Sequence, residues 1–265
     1  MRRQQVRYYI ITGTSRGIGQ ALAREIIIRG KGNTLFCISR GGSDELARES
    51  REDGAIVHDI IFDLSKTHEI DVLIDRIFRG IDPGNCQELV LVNNAGVLEP
   101  IGPAGFNSTA AVEHHIRTNL LAPMRLTSLT IARARQMHMR GKKSIIAITS
   151  GAASHPYHGW SAYCTGKAGL EMFIRTVGLE QLKEEDPFSL VSVWPGIIET
   201  RMQELIRRSD PEHFADRDKF IHYRDAGLLD KPEDTARNLL KLIDQREWEN
   251  GESVDLRARI EKERS

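Results

Sequence analysis

Seven short, β-rich apolar runs, at 8–12, 34–39, 56–62, 89–93, 144–149, 190–194 and, more weakly, 253–256, alternate with stretches of helical periodicity, and this alternation is what most constrains the fold. Ile18, Leu22, Ile26 and Arg29 sit at helical spacing after the first run, and Ile70, Leu73, Ile74 and Ile77 do so before the fourth. Strands separated by helices of this length need crossover connections, which produce a mainly parallel sheet. The runs are nearly continuous rather than alternating, as expected where helices cover both faces. The pattern therefore predicts an α/β, doubly wound parallel sheet of about seven strands with helices on both faces. His58 and Asp59 interrupt the third run, and strand order is not expressed in periodicity at all.

With 265 residues, 40% hydrophobic and 28% charged, the chain has an ordinary globular composition and is expected to form one domain over 1–265. Its least regular part, 197–229, carries Met202, Leu205, Ile206, Phe214, Phe220, Ile221 and Tyr223 among many charges. It reads either as an insertion covering a substrate pocket or as a surface helix pair with an apolar underside. Lys and Arg together number 37, as do Asp and Glu, so no net field draws the chain to nucleic acid or an anionic membrane. Cys37, Cys86 and Cys164 are widely spaced, without a CxxC pair or histidines at ligand spacing; a reducing, cytoplasmic setting and no metal are expected. The charged start, Met1-Arg2-Arg3-Gln4-Gln5-Val6-Arg7, is followed by too short an apolar run for an export signal, and no stretch approaches the roughly 18 apolar residues of a membrane span.

The first run opens into Thr12-Gly13-Thr14-Ser15-Arg16-Gly17-Ile18-Gly19 and then an amphipathic helix. A strand that enters a helix through small residues brings backbone N–H groups and the positive helix end against a phosphate. A diphosphate-bearing cofactor is the natural ligand, although the spacing is GxxxGxG rather than GxGxxG. About 20 residues further on, where an acid would accept the ribose 2′-hydroxyl of NAD, stand Ser39 and Arg40. Arg16 is a second cation suited to a 2′-phosphate, so the expected cofactor is NADP(H). Asp44 and Glu45 follow closely and offer a competing acid if the loop takes another path.

The fifth run ends at Ser150, and thirteen residues later come Tyr163 and Lys167, four apart and so on one face of a helix expected to begin near Trp160. Ligands of open α/β sheets bind at the carboxyl ends of the strands, where Ser150 lies. A phenol made acidic by a nearby ammonium would exchange a proton with a carbonyl oxygen, and the Ser150 hydroxyl would bond the same oxygen. No GxSxG elbow surrounds Ser150, and His155 and His158 suit an exposed polar loop.

Taken in order, the turn at 12–19, Asn93-Asn94-Ala95-Gly96, Asn119, Ser150, Tyr163-x-x-x-Lys167 and Pro195-Gly196 with Thr200 resemble the landmarks of the short-chain dehydrogenases/reductases over nearly all of the chain. The resemblance implies a Rossmann-type fold and a catalytic set of Asn119, Ser150, Tyr163 and Lys167. It implies a cofactor lying along Gly13, Ser15, Arg16, Gly17, Ile18, Gly19, Arg40, Asp63, Asn93, Ala95, Gly96, Tyr163, Lys167, Pro195, Gly196, Ile198 and Thr200. In it Asn93 borders the adenosine ribose, Asp63 meets the adenine, and Asn119 bends its helix and holds a water in a relay ending at Lys167. Without the resemblance, Asn119 reads as a capping or satisfied polar residue and Asn93-Asn94 as a turn. Within the family, 149–173 is similar to the benzil reductases and more distantly to the sepiapterin reductases, which implies an apolar ketone substrate such as an α-diketone. Val97, Leu98, Tyr157, Trp160, Trp194 and Met202 would wall it, or serve as core. Reduction of another small ketone, alcohol oxidation, or a silent NADPH-binding sensor are the other readings. A homodimer is implied by the resemblance alone.

Overall fold

The computed structural model describes residues 5–264; Met1–Gln4, part of the charged start, lie outside the described residues. Seven strands form one parallel sheet: β1 (Val6–Thr12), β2 (Asn33–Ser39), β3 (Ile56–Ile61), β4 (Cys86–Asn93), β5 (Lys142–Ile148), β6 (Ser189–Trp194) and β7 (Glu252–Asp255). Their spatial order is β3-β2-β1-β4-β5-β6-β7, with Ile10 of β1 opposite Phe36 of β2 on one side and Leu91 of β4 on the other. This is a Rossmann-type doubly wound sheet. Every predicted run is a strand. The third tolerates His58 and Asp59 because β3 is an edge: His58 is exposed and stacks on Phe36, with ring centroids 4.8 Å apart.

The helices are α1 (Gly17–Ile28), α2 (Asp44–Asp53), α3 (Ile70–Phe78), α4 (Thr109–Ile116), α5 (Ala122–Gln136), α6 (Ser161–Gln181), α7 (Arg201–Arg208), α8 (Arg217–Asp225), α9 (Pro232–Gln245) and α10 (Leu256–Arg264). Alternate strand residues divide the core in two. Tyr9, Ile11, Val90, Val92, Ile146 and Val191 pack under α1 and α9 through Leu22, Ile26, Leu239 and Ile243. Ile10, Phe36, Leu89, Leu91, Ile145 and Leu190 meet α3, α5 and α6 through Ile74, Leu126, Leu170 and Ile174. Burying each such side chain stabilises the fold by about 1.5–3 kcal/mol.

A third, smaller cluster joins 197–229 to the sheet's carboxyl edge: Ile206 of α7 with Phe214 and Phe220 packs on Leu98, Trp160 and Tyr163. The apolar underside anticipated for this segment thus covers the end of the sheet where β1 and β4 diverge to opposite directions of winding, the place at which open α/β sheets hold ligands. Among the described residues no helix is long and apolar enough to cross a membrane.

Candidate active site

A crevice of ≈ 1160 Å³ opens there, lined by the turn after β1, the loops after β2, β4 and β5, and α7 with the chain leading into it. Its walls include Gly13, Ser15, Arg16, Gly17, Ile18, Arg40, Asp63, Ala95, Gly96, Ser150, Tyr163, Lys167, Pro195, Gly196, Ile198 and Thr200. Of the residues singled out in the sequence, Gly19, Asn93 and Asn119 are missing from that wall.

Gly19 lies behind the turn. A Cβ there would come within 2.4 Å of the Gly13 carbonyl oxygen and 2.5 Å of Asn94 Nδ2, so the helix can approach the strand this closely only without a side chain. Gly13 and Gly17 adopt φ of 77° and 60°, in the left-handed region. Arg16, at the N-cap of α1, makes no side-chain capping bond, which leaves the N–H groups of the first turn directed at the crevice. Glycine spacing, an uncapped helix end and a long cleft fit a dinucleotide diphosphate.

Asn93 corrects an expectation. Its side chain is buried and its Nδ2 donates to Thr127 Oγ1 of α5 at 3.1 Å, so the side chain packs between β4 and α5 rather than lining the crevice. The next residue takes the edge position: Asn94 lines the crevice and its Nδ2 donates to the Thr12 carbonyl at 2.8 Å, tying β4 to the glycine turn. Asp63 does face the crevice. Burial pushes its carboxyl up, but the Ser65 backbone N–H and hydroxyl, with Arg40 and His114 nearby, outweigh this and hold it below the usual carboxylate value. Arg16 and Arg40 both line the crevice, whereas Asp44 and Glu45 do not; Glu45 pairs with Arg24 at 2.6 Å.

Ser150 follows β5 in extended conformation and α6 begins at Ser161 just after Trp160, as predicted. One helical turn places Tyr163 and Lys167 on the same face, both buried, the Lys167 Nζ 5.8 Å from the Tyr163 ring centre. The expectation that the ammonium makes the phenol acidic is corrected in the protein alone. Burial pushes the Tyr163 phenol up to about 12, a hydrogen bond with Ser150 drawing it only partly back. Burial also pushes Lys167 down to about 8. The physical reason is dehydration of both groups, with the Lys167 Nζ donating at 2.8 Å to the Ile148 carbonyl instead of to the phenol. A protonated phenol beside a hydroxyl and a buried amine is equipped to give a proton to an oxygen.

Asn119 lies in a π-helical turn (Arg117–Leu121) between α4 and α5. Its Oδ1 accepts from the Val97 N–H at 2.8 Å and its Nδ2 donates to the Val97 carbonyl at 2.7 Å, so it braces the crevice wall from behind. Gly166 of α6 admits this arrangement: a Cβ there would meet Asn119 Cβ at 3.4 Å.

At the other end of the crevice the wall is Val97, Leu98, Tyr157, Trp160, Trp194, Met202, Leu205, Phe220 and Tyr223. Trp160 serves both readings proposed for it, lining the crevice while stacking on Phe214 at 4.5 Å. The Trp194 indole N–H donates to Glu171 Oε2 at 2.9 Å, and Glu171 Oε1 accepts from Ser253, which fixes this wall to α6 and β7. Sequence reasoning missed Glu171, although it stands one helical turn beyond Lys167. It also missed Asn94; of the aromatic residues it placed in a segment that could cover a pocket, Phe220 and Tyr223 line the crevice, while Phe214 is buried behind Trp160. His155 and His158 are exposed, as anticipated.

A doubly wound sheet with a glycine cradle and a Ser–Tyr–Lys group on one crevice defines a nicotinamide-dependent oxidoreductase. The chain belongs to the short-chain dehydrogenase family, whose model matches residues 7–211. It is 38% identical over 249 residues to "Benzil reductase ((S)-benzoin forming)" of Bacillus subtilis (strain 168), covering 94% of this chain and 98% of that one. It is 30% identical over 257 residues to the sepiapterin reductase of Rattus norvegicus, covering 93% and 94%. Among solved structures, that of the KRED1-Pglu enzyme superposes with a TM-score of 0.79 at 26% identity, covering 94% of this chain and all of that one.

Proposed function

We propose that the protein is an NADPH-dependent carbonyl reductase acting on an apolar ketone, with one carbonyl of an α-diketone such as benzil as the preferred substrate. The observation that carries this reading is a buried Tyr163 near Ser150 and Met202, both also on the crevice wall, at the junction of a glycine-cradled cleft and an apolar, aromatic pocket. Similarity to the Bacillus subtilis benzil reductase over almost the whole length supports the diketone. When bound, the cofactor supplies a hydride to the carbonyl carbon. Tyr163 donates its proton to the carbonyl oxygen, which becomes the alcohol, and Ser150 hydrogen-bonds that oxygen as charge develops on it. Lys167, held against the Ile148 carbonyl, offsets the charge left on the phenolate, and Asn119 keeps Val97 and its neighbours in place. The 197–229 segment, within a single domain, excludes water from the reacting carbonyl by means of Met202, Leu205 and Phe220.

The test is NADPH oxidation monitored across a panel of diketones and monoketones, with NADH in parallel. Turnover of vicinal diaryl diketones above that of monoketones is expected; binding of NADPH without turnover of any ketone would favour the silent sensor instead. The 2′-phosphate is assigned to Arg40 with Arg16, both facing the crevice, which Asp44 and Glu45 do not. Losing a hydrogen bond to a charged group costs about 1.5–3 kcal/mol, so Arg40→Ala should raise the Kd for NADPH by roughly 10- to 100-fold and leave NADH nearly unchanged. Equal losses for the two, measured by fluorescence titration, would remove Arg40 from this role.

The pH dependence follows from the two shifted groups. Tyr163, pushed up to about 12, stays protonated, while Lys167, pushed down to about 8, loses its charge as pH rises through that value. The kcat/KM for reduction should therefore decline as pH rises above about 8. A flat profile to about pH 10, the ordinary lysine and tyrosine range, would contradict the charged role of Lys167.

The free thiols of Cys37, Cys86 and Cys164 support a reducing, cytoplasmic setting. Two copies of the chain pair through the outer face of α6, where Met172 and Leu179 are exposed together with Leu182 just beyond the helix. Sedimentation as a monomer at micromolar concentration would refute this pairing.

A further inference from the structure

His115 is wholly buried on α4, four residues before Asn119, and the reading above leaves it without a task. Its Nδ1 lies 2.7 Å from the Glu99 carbonyl oxygen and its Nε2 lies 2.8 Å from Asn119 Nδ2. A carbonyl only accepts, so Nδ1 must carry the proton, and Nε2 then presents a lone pair to the Asn119 amide. The same contact settles which way that amide faces. With Nδ2 turned to His115 and the Val97 carbonyl, Oδ1 receives the Val97 N–H; the flipped amide would set donor against donor at Val97. One imidazole thereby holds both ends of the 97–99 wall, Val97 through Asn119 and Glu99 directly.

The groups around it all bear on its protonation. Burial disfavours the imidazolium most, the bond to Glu99 favours it, and Lys167 from α6 and His114 from its own helix disfavour it, with a net shift below the ordinary value. The Tyr163 ring stands edge-on at 6.0 Å, and Gly166 lets α6 close in, since a Cβ there would lie 3.5 Å from His115 Nε2.

We infer that His115 is a positioning residue: as the neutral Nδ1–H tautomer it clamps Asn119 and the 97–99 wall beside Tyr163 and Lys167, and a proton on Nε2 releases the clamp. This rests on the reading of Asn119 and Tyr163 as parts of the reductase site. The consequence is a fall in kcat on the acid side, below the usual imidazole value of about 6.5.

The experiment compares the intact protein with His115→Gln and His115→Phe. A glutamine amide oxygen can reach the Nε2 place and accept from Asn119 without titrating; phenylalanine keeps the ring shape but offers no acceptor. Misplacement of a supported group costs up to about 100-fold, so His115→Phe should lower kcat by roughly 10- to 100-fold, with the KM for the cofactor nearly unchanged. His115→Gln should keep most of kcat and abolish the acid-side fall. Nitrogen-15 NMR of histidine-labelled protein, which needs no substrate, should show the Nδ1–H tautomer for the resonance lost in His115→Gln. An Nε2–H tautomer, an acid-side fall that survives in His115→Gln, or a folded His115→Phe with unchanged kcat would each overturn the inference. If the intact protein reduces no ketone, the proposed function fails, while the tautomer measurement still decides the clamp.

Discussion

Tyr163→Phe is expected to lower kcat for ketone reduction by about 10²- to 10⁴-fold, the span associated with losing a positioned general acid. The change deletes one oxygen and little else. In the structure that oxygen lies near Ser150 and makes a weak contact to Met202 Sδ at 3.9 Å, so the ring keeps its packing against Trp160 and His115. Removing a poorly partnered buried hydroxyl changes stability by no more than about 1 kcal/mol, so the melting temperature should move little. NADPH affinity should also persist, because the glycine cradle and the arginines are untouched. The combination is diagnostic: cofactor binding and fold retained, turnover lost. Stopped-flow measurement of a single turnover separates the chemical step from product release, and a variant that turned over at the parental rate would show that the proton comes from elsewhere.

Gly19→Ala should act at the opposite end of the crevice and through a different cause. The added Cβ would stand 2.4 Å from the Gly13 carbonyl oxygen and 2.9 Å from its carbon, and backbone cannot swing aside as a flexible side chain can. Either α1 moves away from β1 or the turn opens. The same Cβ would stand 2.5 Å from Asn94 Nδ2, so an opened turn also strains the tie from that amide to the Thr12 carbonyl. Overpacking of this kind costs about 1–3 kcal/mol, and in a chain of this size each kcal/mol lowers Tm by about 2–4 °C. The larger effect is on binding. A helix end displaced from the diphosphate loses several charge-assisted hydrogen bonds together, so dinucleotide affinity should fall by more than about 100-fold for NADPH and NADH alike. Calorimetry on the folded variant reads this directly, and unchanged affinity would mean that the turn does not hold the diphosphate. The symmetry between the two cofactors distinguishes this variant from Arg40→Ala, which acts on the 2′-phosphate alone.

The two variants draw on information of different kinds. Both Gly19 and the pair Tyr163 and Lys167 were legible in the chain because their meaning is local: a helix repeats every 3.6 residues, and a strand that turns directly into a helix needs small residues wherever it sits. The seven strands were legible for the same reason, including β3, whose polar interruption becomes intelligible once it is seen at the edge with His58 stacked on Phe36. Strand order was not. Nothing within 6–12 says that β1 will lie between β2 and β4, because that choice depends on which pairings bury both faces of the finished sheet.

The site shows the same division. Arg40 stood out by its distance from the glycine turn, whereas Asn93 and Asn94 look alike in the chain, and only the pleat decides that one reaches Thr127 on α5 and the other braces the turn. Glu171 and His115 each stand one helical turn from a recognised residue, yet their tasks depend on partners 82 and 16 positions away, Ser253 and Glu99. The sequence by itself determined the order and type of the elements, the glycine turn after β1 and the Ser150, Tyr163 and Lys167 candidates, since those follow from short-range backbone geometry. Only the tertiary structure decided their protonation, the orientation of Asn119 and the aromatic cover from 197–229, because burial and hydrogen bonding between distant segments exist only once the chain has closed upon itself.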